Sequence, residues 1–426
     1  MTATPPSTAF VVLDLGFGDS GKGLVTDYLT RASCARTVVR FNGGAQAGHN
    51  VVAPDGRHHT FSQLGAGTFA GDVVTFLSRF VVVHPTAMCV EAATLAAKGV
   101  PDALERVWVD EDALVTTPFH QALNRLRELA RGASPHGTCG VGFGETVRDG
   151  RVAGREALRV RDLSTHPILR RRLAEALERA LAEAAVLVEP GRRTPRAEAE
   201  LCMLSRSVAD AWADRARAWA ARARIVASEA LSDLGRRGPV VFEGAQGVLL
   251  DERAGFLPHC TFSACTPDNA LALARAHLPE HAVTRLGVLR TYMTRHGAGP
   301  LPTEDPSRVP ASPEPHNGAE GWQGPFRVGW PDFVLWRHAV RACGGLDALA
   351  VTHVDALARA ATWRSCDRYA SAPDPLTPAA LARARPLYRD HPPDDFLSLA
   401  AEELDLPVAL VSTGPRASDV RRRVAP

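Results

Sequence analysis

The chain has 426 residues, with 49 basic and 47 acidic side chains and a formal net charge of +2. This charge gives no field strong enough to favour nucleic acid or an anionic membrane, so small partners are expected. The eight cysteines include no C-x-x-C pair, which argues against a disulfide framework and against a thiolate zinc site.

Apolar, β-branched runs recur along the chain and predict buried strands, because strands covered on both faces of a parallel sheet are continuously apolar. In chain order, the predicted strands are residues 10–16, 35–41, 72–77, 79–85, 239–245, 284–293, 347–354 and 407–414. Stretches rich in Ala, Leu, Arg and Glu at 168–188 and 208–235 predict helices. The alternation predicts an α/β fold with a large, mainly parallel central sheet, flanking helices and a helical insertion at about 160–235.

Two segments rich in Pro and Gly, residues 304–331 and 371–380, predict loops. The first is long for a compact enzyme, so we expect it to be functional. No apolar stretch approaches the roughly 18 residues that a membrane span needs, and the first ten residues lack the basic and apolar regions of a secretory signal. We therefore expect no membrane partner and a cytoplasmic location.

The glycine cluster "GFGDSGKG" (16–23) follows the first predicted strand and precedes a helical stretch. Its spacing matches the dinucleotide fingerprint G-x-G-x-x-G, but the second strand ends in Arg40-Phe41-Asn42, without the acidic residue that this fingerprint needs. Lys22 instead favours a phosphate-binding loop, in which backbone N–H groups and the positive end of a helix surround phosphates. The loop is not a standard one, because Gly23 stands where Ser or Thr would bind magnesium.

Asp19 lies inside this loop. A carboxylate beside a polyphosphate is repelled unless a metal ion or a proton separates the two charges. Asp19 is therefore predicted to bind Mg²⁺, to accept a proton, or to do both; the alternative is a tight turn with a solvated Asp and Lys.

Eight segments, in order along the chain, resemble the adenylosuccinate synthetase family. They are "GDSGKG" (18–23), "FNGGAQAGHNVV" (41–52), "HGTCGVGFGE" (136–145), "VFEGAQGVLLD" (241–251), "TRHGAGPLPTE" (294–304), "RVGWPD" (327–332), "VTHVD" (351–355) and "VSTGPR" (411–416). The resemblance implies one domain over residues 1–426 with that family's P-loop-type, GTPase-like fold, and a homodimer. It also implies a GTP-dependent ligase that uses Mg²⁺.

In the implied reaction, GTP phosphorylates the 6-oxo group of IMP and an amine then displaces the phosphate. By resemblance, Asp19 would be the base that deprotonates the purine edge and His49 the general acid at the β–γ bridging oxygen. Lys22 would hold phosphate, and Asp19 with the carbonyl of Gly48 would hold Mg²⁺. Apart from its motif, His49 would be read as a turn histidine bonded to backbone.

The resemblance also implies the nucleotide contacts. Those for GTP are Gly18, Ser20, Gly21, Lys22, Gly23, His353, Asp355, Ser412, Gly414 and Pro415. Those for IMP are Asp19, Lys22, Gln46, Thr138, Cys139, Arg155, Gln246 and Thr261. Asp355 suits guanine because a carboxylate accepts two hydrogen bonds that adenine cannot offer. Arg155 would reach the phosphate of IMP in the other subunit, with Arg151 as the alternative.

The match fails where the family binds aspartate. The family's A-T-T-G-R-x-R loop and the Arg of its G-T-T-x-R segment correspond here to "GAEGWQGPFRVGW" (318–330), with Gly324 or its neighbours at a lost arginine position, and to Val141. Losing a bidentate arginine from a desolvated carboxylate costs roughly 3 kcal/mol or more. Glu320, Trp322 and Gln323 instead favour an amine that carries hydroxyl groups or positive charge.

We therefore predict that the chain activates IMP, or a close purine nucleotide, with GTP and joins it to a small amine other than aspartate. An amino sugar in specialised nucleoside biosynthesis is one such amine. Two alternatives remain: an ordinary adenylosuccinate synthetase in which Arg327 holds a carboxylate of aspartate, and a non-catalytic guanine-nucleotide-binding protein. Retention of Asp19, Lys22 and His49 together argues against the second alternative.

Overall fold

The computed structural model describes residues 7–188, 194–308, 322–359, 363–371 and 376–423. The strands in chain order are β1 (Ser7–Asp14), β2 (Thr37–Arg40), β3 (His49–Val52), β4 (His58–Phe61), β5 (Val74–Leu77), β6 (Val82–Val83), β7 (Val107–Asp110), β8 (Leu114–Val115), β9 (Arg224–Val226), β10 (Val240–Glu243), β11 (His281–Arg290), β12 (Met293–His296), β13 (Phe326–Gly329), β14 (Ala348–Thr352), β15 (Trp363–Tyr369), β16 (Pro386–His391), β17 (Val408–Ser412) and β18 (Val420–Arg422). The α-helices are α1 (Lys22–Ala32), α2 (Pro85–Ala97), α3 (Pro118–Ala130), α4 (Phe143–Ala153), α5 (His166–Leu187), α6 (Pro195–Cys202), α7 (Arg206–Ala220), α8 (Ala230–Gly235), α9 (Asp268–His277), α10 (Phe333–Ala342), α11 (Pro378–Leu381) and α12 (Phe396–Leu404).

Ten strands form one sheet in the order β18-β17-β14-β11-β1-β10-β2-β5-β7-β9. Its neighbouring strands are parallel except for the antiparallel pair β17 and β18 at one edge. This arrangement confirms the predicted α/β class. Every predicted strand except 79–85 contributes to this sheet. Each of these strands has a continuous apolar run, which helices on both faces of the sheet bury.

Four elements differ from the prediction. The apolar run at 79–85 yields only the short strand β6, which pairs with β8 outside the main sheet. The predicted helix at 208–235 is interrupted, because Ile225 and Val226 extend beside β7 as strand β9 at the sheet edge. The segments predicted as loops contain regular structure, since β13 pairs with β12 and α11 begins at Pro378, inside the predicted loop 371–380.

The predicted helical insertion packs on the N-terminal half of the chain. Apolar faces of α5 and α7 share one core with α2 and α3, and the large buried side chains there include Trp212 and Trp219. A second core lies between the sheet and the helices α9, α10 and α12. Among the described residues, no helix combines the length and apolarity needed to cross a membrane.

The sheet determines where the predicted site residues meet. Most of the segments that carry them follow the carboxyl ends of β1, β2, β10, β14 and β17, whereas Thr138 and Cys139 lie between α3 and α4. Parallel strands place these ends at one edge of the sheet, where ligands of open α/β sheets bind.

Candidate active site

The phosphate-binding loop is organised by a residue that the sequence reasoning missed, Asp14 at the end of β1. The backbone N–H groups of Gly16 and Ser20 donate to its carboxylate at 2.8 and 2.9 Å, and Ser20 Oγ donates at 2.9 Å. Lys22 Nζ donates to Asp14 Oδ2 at 2.8 Å. The sequence did contain a signal for Asp14, which is an acidic residue at the end of an apolar strand. A carboxylate buried there requires hydrogen-bond donors around it.

Left-handed backbone shapes the rest of the loop. Gly18 and Gly21 have φ values of 99° and 95°, and Asp19 has φ 60°. A Cβ on Gly21 would lie 3.0 Å from Thr352 Cγ2, so glycine fits both the backbone and the contact with β14. The loop thereby leads directly into the N-terminus of α1, where N–H groups face an anion.

Asp19 faces the cavity beside a second missed residue, His296. His296 Nε2 lies 3.3 Å from Asp19 Oδ2. Burial alone would raise the pKa of Asp19. The hydrogen bond and charge of His296, together with the charges of Arg290 and Lys22, lower it by more than burial raises it, so the net pKa lies below the ordinary value. Asp19 is therefore ionised at neutral pH and able to accept a proton.

His49 at the start of β3 is held by Glu243 at the end of β10. Since a carboxylate only accepts, His49 Nδ1 donates to Glu243 Oε1 at 2.5 Å. Glu243 Oε2 accepts from the backbone N–H of Ala66 at 3.0 Å. This pairing leaves Nε2 as the ring nitrogen available to a nucleotide.

The electrostatics of this pair follow from burial. Burial lowers the pKa of His49, and Glu243 offsets only part of that shift. Burial raises the pKa of Glu243, whereas His49 and Arg40 lower it to a net value below the ordinary one. The sequence reasoning missed Glu243, although an acidic residue ending a buried strand again pointed to a partner.

One cavity of about 1030 Å³ joins the loop, His49 and both predicted nucleotide regions. Its lining includes these predicted site residues: Gly18, Asp19, Gly21, Lys22, Gly23, Gln46, Gly48, His49, Thr138, Cys139, Gln246, Thr261, Gln323, His353, Asp355, Ser412, Gly414 and Pro415. Ser20 lies in the same loop with its hydroxyl turned to Asp14.

Two predicted IMP ligands carry unsatisfied amides. Both polar side-chain atoms of Gln46 and of Gln246 are buried and have no hydrogen-bond partner among the described residues. An unpaired buried polar group costs about 1–3 kcal/mol, so these amides suit a ligand rich in donors and acceptors. Thr138 nearby accepts from Asn124 Nδ2 at 2.9 Å, which identifies Asn124 as a supporting residue that the sequence reasoning missed.

At the predicted guanine end, Asp355 is already partly engaged. Arg359 NH2 donates to Asp355 Oδ2 at 2.9 Å. His353, with φ 58°, lies edge-to-face with Tyr292, whose ring centroid is 5.8 Å away. Burial keeps the pKa of His353 well below its usual value, so the ring is neutral beside a base.

Arg155 does not line the cavity of its own chain. Its side chain is exposed, and its backbone carbonyl accepts from Arg172. The alternative, Arg151, lines the cavity and forms an ion pair with Glu252.

The segment predicted to bind the amine (318–330), called the amine loop below, is described from residue 322 onward, and Glu320 lies outside the described residues. Gln323 lines the cavity, whereas Trp322 packs on Gly140 and under the guanidinium of Arg196, which is 4.7 Å from its ring centroid. Trp322 is therefore not among the residues that line the cavity.

Arg327 is committed elsewhere. Its Nε donates to Glu304 Oε1 at 2.9 Å, and its NH2 group also pairs with Glu304. Its NH1 group donates to the carbonyls of Gly297 and Gly299 at 3.0 and 2.7 Å. Arg327 does not line the cavity, so the alternative in which it holds a carboxylate of aspartate has no support from this geometry.

The oxygen donors at the phosphate loop suit Mg²⁺. Asp19 and Gly48 line the same cavity, and the described residues hold no cluster of three or more His, Cys, Asp or Glu side chains able to bind a metal. Mg²⁺ is typically held by one or two carboxylates together with substrate phosphates, and this donor set agrees with that pattern. When bound, Mg²⁺ neutralises phosphate charge; Asp19 and Gly48 would hold it.

The sheet, the phosphate-binding loop, and a carboxylate and an imidazole that line one cavity are typical of enzymes that transfer a phosphoryl group from a nucleoside triphosphate. Sequence comparison matches the adenylosuccinate synthetase family to residues 11–409. Adenylosuccinate synthetase 1 of Chromobacterium violaceum is 34% identical over 443 residues, which cover 98% of each chain. The synthetase of Synechocystis is 32% identical over 441 residues, covering 95% of this chain and 92% of the relative.

Solved structures show the same fold. The fully ligated adenylosuccinate synthetase of Plasmodium falciparum has a TM-score of 0.80 at 19% identity, covering 97% of this chain and 99% of that one. The succinoaminodeoxyadenylate synthetase of cyanophage S-2L, bound to dGMP and to dATP as an energy donor, has a TM-score of 0.62 at 18% identity, covering 98% and 95%.

The chain belongs to the adenylosuccinate synthetase family. It is a GTP-dependent ligase that forms carbon–nitrogen bonds, and the family uses GTP, Mg²⁺ and IMP-like nucleotides. These findings confirm the predicted family, enzyme class and cofactors.

Proposed function

We propose that this enzyme phosphorylates the 6-oxo group of IMP, or of a close purine nucleotide, and joins C6 to a small amine other than aspartate. An amino sugar is the class that the loop composition favours. The supporting observation is the lack of an uncommitted guanidinium at the three places where the aspartate carboxylates would need one: Val141, Gly324 and Arg327.

The activating step uses Asp19 and His49, which line the same cavity. Asp19 takes the proton from N1 of the purine, and O6 attacks the γ-phosphorus of GTP. The bond from that phosphorus to the β–γ bridging oxygen breaks. The negative charge of the bound triphosphate favours the imidazolium form of His49, whose Nε2–H then gives its proton to the departing GDP. The amine nitrogen then attacks C6, the C6–O bond breaks, phosphate leaves and the amine loses a proton.

The amine side carries the discrimination. A carboxylate that binds without a partner retains its desolvation cost, and restoring one would need a free arginine. Here Arg327 gives its donors to Glu304, Gly297 and Gly299, whereas Gln323, whose side chain is a neutral amide, is among the residues that line the cavity. Amides donate to and accept from hydroxyl groups, as a sugar requires.

The second candidate is an ordinary adenylosuccinate synthetase that uses L-aspartate. The names and full-length similarity of the relatives favour it. It requires that an arginine elsewhere in the cavity lining, such as Arg131 or Arg295, holds the carboxylates of aspartate, or that a rearrangement releases Arg327 from Glu304.

We also propose a homodimer in which Arg155 of each subunit contacts the IMP phosphate of the other. The support is that Arg155 is exposed and lies away from the cavity of its own chain. Two measurements on Arg155→Ala test this arrangement. Sedimentation should show that the variant stays dimeric, and steady-state kinetics should show a higher KM for IMP.

The function is tested with purified protein, GTP, IMP and Mg²⁺, to which single amines are added: glucosamine, other amino sugars, simple alkylamines and L-aspartate. We expect phosphate release with an amino sugar and a purine adduct of the corresponding mass, with little turnover of aspartate. Efficient turnover of aspartate alone would overturn the choice of amine and support the second candidate.

Two variants serve as controls. Asp19→Asn removes the base and should abolish adduct formation, whereas Asp72→Asn changes an exposed carboxylate that does not line the cavity and should leave adduct formation unchanged. Phosphate released equally by both variants would come from a contaminating phosphatase.

A further inference from the structure

His296 links the two halves of the active site. It ends β12, where its Cα pairs with that of Phe326 on β13. The His296 ring packs edge-to-face on Phe326, with centroids 4.9 Å apart and planes at 61°. This contact fixes the direction of the imidazole from the side of the amine loop.

The neighbouring backbone strengthens this link. The N–H of Gly297 donates to the carbonyl of Pro325 at 2.9 Å, and a Cβ on Gly297 would lie only 2.2 Å from the carbonyl oxygen of Gln323. The strand end that carries His296 is thus packed closely against the loop that brings Gln323 to the cavity. A displacement of that loop would move the imidazole with it.

The other face of His296 meets the base. Nε2 lies 3.3 Å from Asp19 Oδ2, and both side chains line the same cavity. Asp19 itself has a left-handed backbone with φ 60°, a conformation that non-glycine residues rarely adopt. The contact with His296 Nε2 is the interaction that can hold the direction of its carboxylate.

We propose that His296 is a positioning residue, which orients the Asp19 carboxylate toward N1 of the purine and couples that orientation to the amine loop through Phe326 and Gly297. The inference rests on the proposed function. In the activating step the N1 proton goes to Asp19 and the phosphoryl group to O6; His296 neither gives nor takes a proton. A hydrogen-bond donor of the right reach is all that the role requires.

The test is positional isotope exchange in GTP labelled with ¹⁸O at the β–γ bridge, in the presence of IMP and Mg²⁺ and without any amine. Exchange reports only reversible phosphoryl transfer to the purine. His296→Leu keeps an apolar contact with Phe326 but removes the donor, whereas His296→Gln keeps an N–H donor. His338→Leu is the matched control, because His338 also stacks on a phenylalanine, Phe256, and bonds a backbone carbonyl but does not line the cavity.

We expect His296→Leu to slow exchange about tenfold or more, because the hydrogen bond that it loses is to a charged group. KM for GTP and for IMP should change by less than about threefold, because His296 acts on the base and not on substrate binding. His296→Gln should recover most of the rate, and His338→Leu should exchange like the wild type. Thermal unfolding of each variant checks that it is folded.

The inference fails if His296→Leu exchanges as fast as His338→Leu, or if His296→Gln is as slow as His296→Leu. The proposed function fails separately, and this inference with it, if the wild-type enzyme shows no exchange with IMP and GTP. Normal wild-type exchange with an insensitive His296→Leu overturns the positioning role alone.

Discussion

The carboxylate of Asp14 should be the most stability-critical charge in the phosphate loop. It is fully buried, its partner Lys22 is only 4% exposed, and its two oxygens accept from four donors. In Asp14→Asn an amide NH₂ would face some of those donors, and Lys22 would lose its buried counter-charge. Removing one partner of a buried ion pair costs about 3–5 kcal/mol, so we expect a loss of that size in the free energy of unfolding.

The assay is urea unfolding of the nucleotide-free protein, followed by circular dichroism. Asp72→Asn is the control, because Asp72 pairs with Arg36 across 3.8 Å and the two side chains are 80% and 63% exposed. An exposed pair contributes about 0–1 kcal/mol. If both variants unfold at the same urea concentration, the reasoning about Asp14 is refuted.

Three further substitutions test other parts of the site and fold. Glu243→Gln should lower kcat about tenfold to a hundredfold with little change in KM for GTP, because it weakens a charge-assisted hydrogen bond to His49; unchanged steady-state kcat would contradict this. Asp355→Ala should lower kcat/KM for GTP about tenfold or more and reduce the preference for GTP over ATP, as measured by competition between the two nucleotides. An unchanged preference for GTP would show that Asp355 does not recognise guanine. Burial raises the pKa of Asp332 to about 7, above its value in the unfolded chain. The folded state therefore binds the extra proton, and stability falls as pH rises from about 4 to about 7. Asp332→Asn should flatten that fall in urea titrations across the window, and an unaltered pH dependence would count against it.

The sequence predicted the sheet well because its central strands are continuously apolar. It failed where tertiary pairing outweighs local pattern. Ile225 and Val226 sit in a stretch of helix-forming composition, yet they extend beside β7 because an edge of the sheet is free to receive them. Likewise β13 forms in a segment rich in Pro and Gly because β12 supplies its hydrogen bonds.

The site divides in the same way. Asp19, His49 and Gln246 were predicted because their motifs extend over contiguous residues. The supporting partners were not, because the pairs Glu243 with His49 and His296 with Asp19 join residues that are distant along the chain. Only the three-dimensional structure reveals such pairs, although an acidic residue at the end of a buried strand indicates that some hydrogen-bonding partner lies nearby.

Two different kinds of scaffold carry the two parts of the reaction. Asp19 follows β1, and His49 on β3 is held by Glu243 of β10, the strand next to β1 in the main sheet, whereas the loop predicted to bind the amine continues into the separate ribbon of β12 and β13. Mutations in the ribbon leave the sheet's hydrogen bonding intact. Substitutions on the ribbon can therefore reshape one wall of the cavity without disturbing the sheet, whereas a substitution that moves His296 would also reach Asp19.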